Sequence, residues 1–142
     1  MPLTLALARK ILASALEFAH GKGMRPLTVV VLDARAAVIA VASEDGSSLD
    51  RFNVARAKAR GALAFNLGSR AVEKIATDRP HFFAGVAPMI EGGIVPVAGG
   101  VLIRSADRAI IGAIGISGDN SDNDEAAGLA GIAAAGLIGD GG

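Results

Sequence analysis

The sequence predicts an α+β fold, a five-stranded antiparallel sheet with helices packed on it. Three observations lead there. Two β-branched runs, LTVVVLD and VIAVASED, are separated only by a short DARAA turn, so they pair as an antiparallel hairpin. A second set of apolar runs, at about 94–98, 100–105 and 109–117, again has connections too short for a crossover helix. Segments with apolar residues at three-four spacing flank both sets.

The elements follow in order. Residues 4–22 predict a helix: Ala8, Ile11, Leu12, Ala15, Leu16, Phe18 and Ala19 form its stripe, and Arg9, Lys10 and Glu17 lie off it. Thr4 can cap its start, Gly21 and Gly23 end it, and Pro26 prevents its resumption. Strands at 27–33 and 38–45 follow, although their turn lacks the Asn-Gly pair favoured by tight hairpins. After a loop at Gly46, Ser47 and Ser48, residues 50–66 predict a second helix. Phe52, Ala55, Ala59, Ala62 and Leu63 mark its buried face, and Arg51, Arg56, Lys58 and Arg60 mark an exposed basic one. A shorter helix covers 69–77. Residues 78–93, with Pro80, Gly85, Pro88, Gly92 and Gly93, read as a long irregular stretch whose Phe82, Phe83, Val86, Met89 and Ile90 pack it down. Gly99 and Gly100 read as a tight turn or bulge between strands. The last helix spans about 122–138, capped by Ser121 or Asp122, with Asp124 and Glu125 at the positive end of its dipole. Its buried stripe is Ala126, Leu129, Ala130, Ala133 and Leu137, and the GDGG tail frays.

Composition narrows the function classes. The 142 residues suit one domain spanning 1–142. Lys plus Arg and Asp plus Glu are both 14, so the chain lacks the basic excess of a general nucleic-acid binder. Near-zero net charge also favours self-association. With no Cys there is no disulfide, thiolate metal site or Cys nucleophile, and with no Trp or Tyr there is little for bases to stack on. No apolar run approaches the roughly 20 residues of a bilayer span. In the N-terminal MPLTLALARKILASALEF, Arg9 and Lys10 interrupt the apolar run, so it reads as part of a mature cytoplasmic fold, not an export signal.

Several familiar motifs are excluded by spacing. GAIGISG at 112–118 is not G-x-G-x-x-G and ends a strand instead of opening a βαβ unit. GISGD is not a nucleophile elbow, since Gly118 directly follows Ser117. DNSDNDE at 119–125 lacks the sixth-position Gly and twelfth-position Glu of a calcium loop. No Ser-His-Asp set has sequence support, and two histidines without Cys give no zinc site. A strand-to-loop-to-helix junction remains, where Gly118 lets backbone amides approach a ligand at a helix N-terminus, or where Gly112 and Gly115 simply allow close packing. The acids there either cap the helix or place Asp124 at a pocket rim. Gly99 and Gly100 could present amides to a ligand carboxylate. Asp45, after the second strand, could point into a cleft at the sheet's end. Arg79, His81, Phe82 and Phe83 form a basic-aromatic cluster suited to an anionic or planar ligand, and His20 sits solvated at the end of the first helix.

The ordered set of elements resembles the GlcG/HbpS family, the heme-degrading-domain or DUF336 group, and the C-terminal domain of PduO-type proteins. The resemblance rests on the first helix, VVVLDARAAVIA, the EDG step, ARAKARGALAF, VPVAGGVLI, IIGAIGISG and DNDEAAGLAGIAA. It covers nearly the whole chain. It implies a profilin-like fold, homo-oligomers, and a ligand near Gly99, Gly100, Ser117, Gly118 and Asp124. It also implies an association with heme or corrinoid binding and with loci for catabolism of glycolate and other small organic compounds. The chain departs from the pattern at Asp119, where the family often has a further glycine, and at LTLALA, where LTLEDA is usual. The export signal of secreted heme-binding members is also absent.

The expectation is a cytoplasmic, oligomeric small-molecule-binding protein without nucleic-acid or membrane partners. Its site residues would be Asp45, Arg79, His81, Gly99, Gly100, Ser117, Gly118, Asp119 and Asp124. Three readings stay open. One is heme or corrinoid binding, with His81 as axial ligand. The second is an isomerase or lyase acting on a small carboxylated or carbonyl metabolite, in which His81 or Asp124 moves a proton and glycine amides hold an oxyanion. The third is an accessory subunit without activity.

Overall fold

The computed structural model describes all residues, 1–142. Five strands form one antiparallel sheet in the order β2-β1-β4-β3-β5: β1 Thr28–Asp33, β2 Val38–Ser43, β3 Gly100–Arg104, β4 Ile110–Ser117 and β5 Ile138–Asp140. Helices α1 (Leu5–Gly21) and α5 (Ser121–Ala134) cover one face, and α2 (Arg51–Phe65) covers the other. The alternation of β1 shows why its sequence is an unbroken apolar run. Val29 and Val31 join the α1/α5 side of the core, while Val30 and Leu32 join the α2 side.

Local chemistry sets the element ends. Thr4 accepts the Leu7 amide and starts α1. The β1–β2 turn substitutes an Asp for the missing Asn-Gly: the Asp33 carboxylate accepts the Arg35 and Ala37 amides while Ala36 takes φ 65°. At α5 the cap is Asn120, whose side chain accepts the Asn123 amide, and not Ser121 or Asp122 as expected.

Four expectations are corrected. Residues 78–93 are mostly helical: α3 runs Ser69–Asp78, Pro80 occupies the first turn of α4 (Pro80–Val86), and a 3-10 turn follows at Ala87–Met89. Pro at a helix start loses no hydrogen bond, because that amide has no intrahelical partner. Residues 94–98 are not a strand; Pro96 cannot donate to a ladder, and β3 begins only at Gly100. The fifth strand lies instead in the tail. Gly136, at φ 74°, ends α5 early, and Ile138–Asp140 pairs with β3, held by Arg104 on Asp140 at 2.9 Å. Finally, the buried stripe of α5 is two residues out of phase with the expected one, nearly the opposite face: Asp124, Ala127, Gly128, Gly131 and Ile132 point inward. The periodicity alone could not find it, because two glycines carry no hydropathy. Gly131 nevertheless sets the approach of α5 to α1, since a Cβ there would meet the Ile11 carbonyl.

Candidate functional site

The doubled glycine and the acidic loop meet at one buried residue, Lys58. It lies on α2 in phase with Ala55 and Ala62, so the inward face of the helix carries it through the core to the end of β4. There its ammonium donates to the Ile116 carbonyl at 2.9 Å and to Asp124 at 3.1 Å. Both side chains are almost fully enclosed, at 3% and 2% exposure. The other Asp124 oxygen accepts the Asp119 amide at 3.0 Å. Burial pushes the Lys58 ammonium down and the Asp124 carboxyl up, each partly offset by its partner. Asp124 is therefore not at a rim; it joins α5 to α2 across the end of the sheet.

The glycines make room for this. Gly99 adopts φ 119°, and a Cβ there would stand 2.8 Å from the Lys58 nitrogen and 3.0 Å from the Ile116 carbonyl. Gly100 packs against the Lys58 backbone, and its amide donates to the Ser69 hydroxyl at 2.7 Å. Both glycines are buried, so the Gly100 amide is committed within the protein and not offered to a ligand.

The remaining candidates fall into three places. Ser117 is buried, and its hydroxyl accepts Arg51 Nη1 at 2.9 Å, with Gly118 beside it. Asp119 accepts the Arg25 amide, the Asn120 amide and the Asn123 side chain. These bonds, the Arg25 amide foremost, pull its carboxyl down to about 2. Asp45 lines the largest cavity, about 500 Å³, together with His20, Met24, Pro26, Ser43 and Glu44. Arg79 and His81 sit apart, at the start of α4. The Arg79 guanidinium stacks on Phe82 at 4.2 Å, and His81 is exposed and lines no cavity.

Thus Gly99, Gly100, Ser117, Gly118, Asp119 and Asp124 come together around the end of β4, whereas Asp45 opens onto the His20 cavity and the α4 pair joins neither. Sequence reasoning passed over Lys58, Arg51, Arg25 and His20. Lys58 was detectable, since 55, 58 and 62 is itself a three-four series; its charge placed it on the outer face. His20 had no such signal, because its cavity is built by residues 43–45, distant in sequence.

Residues 3–133 match the family described as "Haem degrading protein HbpS-like". Among solved structures, the chain is similar to HbpS, at 29% identity and TM-score 0.81, over 94% of this chain and 89% of that one. It is also similar to the PduOC:heme complex, at 22% identity and TM-score 0.84, over 96% and 97%. A third likeness is to the Klebsiella pneumoniae protein ORFY of the DUF336 group, at 18% identity and TM-score 0.82, over 94% and 90%. The last two bear on the fold alone. No functionally curated protein matches the chain in sequence.

Proposed function

The chain belongs to the HbpS-like family, and from that premise we propose that it binds a heme-type tetrapyrrole in the cavity at the His20 end of the sheet. The observation that carries this reading is the position of His20. It is the only imidazole that lines a cavity, and that cavity is the largest in the molecule. A neutral imidazole nitrogen is the commonest protein ligand to heme iron, and a thioether is a common second one. Met24 lines the same cavity and also a neighbouring one with Phe18 and Lys22, so it supplies an apolar contact beside the histidine, while Ser43, Glu44 and Asp45 make the lining largely polar. The family description supports the same ligand class. In this reading His20, and not His81, would hold the iron.

Self-association belongs to the same reading. The edge strand β2 leaves Val38 and Val41 at 44% and 41% exposure, and Leu49 and Phe52 nearby in sequence are also exposed. An apolar edge of this kind is a template for pairing with a second copy.

Heme titration of the purified protein, followed at the Soret band, tests the ligand. Saturable binding is expected for the wild type and for His81→Ala, and its loss for His20→Ala. Retention in His20→Ala with loss in His81→Ala would move the site to α4. No saturable shift in the wild type would remove the tetrapyrrole.

A further inference from the structure

Next to the His20 cavity lies a second, smaller one of about 180 Å³, lined by Arg25, Pro26, Gly46, Ser48, Arg51 and Gly118. It is the smallest cavity in the molecule. Its volume is too little for a macrocycle and enough for a group of a few heavy atoms. Its lining carries two guanidiniums and no carboxylate.

Arg51 is the half-buried cation of this lining. It makes no ion pair with any acid. Its Nε donates to the Ser48 hydroxyl and one Nη to the Ser117 hydroxyl, both at 2.9 Å. Two neutral partners therefore fix the plane of the fork and leave its charge without a counter-ion. Part-burying an unpaired charge is costly, and the free N–H groups of a fixed guanidinium match the two oxygens of a carboxylate. Arg25 adds a second cation, 69% exposed and loosely paired with Asp119 at 3.7 Å. The first turn of α2 adds to the same field: Asp50 makes no side-chain cap, and no acid follows it. With Arg25 balanced by Asp119, one positive charge remains uncompensated, which favours a monoanion over a doubly charged phosphate.

We propose that this cavity binds a carboxylate group through Arg51, with Arg25 closing over it. The carboxylate has two possible sources. One is a free small carboxylic acid. The other is the carboxylate arm of a larger ligand seated in the His20 cavity, which shares Pro26 and meets this one across the Asp45–Gly46 bond. Only the second source rests on the tetrapyrrole reading.

The test has two arms. In a chloride-poor buffer, sodium propionate and sodium phosphate are titrated separately into ¹⁵N-labelled protein. Heme and its dimethyl ester, which lacks free carboxylates, are titrated in parallel at the Soret band. For a free acid, propionate shifts the Ser48, Arg51 and Gly118 amides saturably and more tightly than phosphate. Arg51→Gln then weakens propionate at least tenfold, Arg51→Lys less, and Arg25→Gln several-fold. For a carboxylate arm, the wild type binds the ester at least tenfold more weakly than heme, and Arg51→Gln makes the two equal. Arg25→Gln, on an exposed side chain, keeps the test open if the Arg51 variants do not fold. No propionate shift, together with equal binding of heme and ester, overturns the proposal. Propionate binding without heme binding overturns the tetrapyrrole reading and leaves this one standing.

Discussion

Replacing Lys58 by Met removes one charge of the enclosed pair and leaves the other. Asp124 is 1% exposed, and its remaining partner would be the Asp119 amide. Removing one member of a buried ion pair costs about 3–5 kcal/mol, because the survivor is uncompensated. For a chain of this length that corresponds to a Tm lower by about 10–20 °C. The cost depends on pH. Burial raises the folded Asp124 pKa above its usual 3.8, and Lys58 opposes that rise. Without Lys58 the folded value climbs further. A raised folded pKa means that stability is present at low pH and lost as pH rises through that value. Lys58→Met should therefore be closer to wild type at pH 5 than at pH 8. Urea unfolding at both pH values measures this through the midpoint at constant m. The double variant Lys58→Met with Asp124→Leu completes a cycle. It should be more stable than Lys58→Met alone, since an apolar pair can replace a buried ionic one. A cost below about 1 kcal/mol for Lys58→Met, or strict additivity in the cycle, would refute the pair as the clamp between α2 and α5.

Other outcomes follow from the same geometry. Ser69→Ala strips the buried Gly100 amide of its acceptor and should cost about 1–3 kcal/mol in urea unfolding. Gly99→Ala should cost more than Ser69→Ala, because it sets a methyl 2.8 Å from the Lys58 nitrogen at φ 119°; equal Tm values would argue against that crowding. Asp119 has its carboxyl pulled down to about 2 from the usual 3.8. Its contribution is present above 3.8 and lost as pH falls toward 2, so Asp119→Asn should flatten acid unfolding over that window. Val41→Lys on the exposed β2 edge should lower the molecular mass measured by light scattering if that edge joins copies.

The layered fold was legible because its signals are local. β-branched runs with short connections dictate antiparallel pairing, and the α1 stripe at Ala8, Ile11, Ala15 and Ala19 is buried as its spacing requires. What could not be read depends on residues that hydropathy treats as blank or as polar. Gly128 and Gly131 set the inward face of α5, yet the eye follows Leu129 and Ala130. Lys58 is buried because Asp124, 66 residues later, meets it. The tail strand forms because Arg104 and β3 lie beside it. The site residues divide the same way. Gly99, Gly100 and Asp124 drew notice as a candidate ligand cradle, and their geometry is instead occupied by a lysine of the same chain.

That occupation bears on where a ligand can go. The register aligns Thr28 with Ser43 on one side and with Ser117 on the other. Three hydroxyls therefore cross the end of the sheet in a row. Thr28 and Ser43 share a hydrogen bond at 2.8 Å, and Ser117 holds Arg51. The α1 terminus carrying His20 lies beyond one end of the row and the uncapped α2 start beyond the other, and both cavities open there. The Lys58–Asp124 pair seals the neighbouring junction and ties the start of α5 to α2 around the end of the sheet. Because a sealed ionic junction has few alternative packings, the β1–β2 end can stay polar and open without loosening the core. On this geometry, variants at Lys58 should change stability first and ligand affinity only through it, whereas variants at His20 and Arg51 should do the reverse.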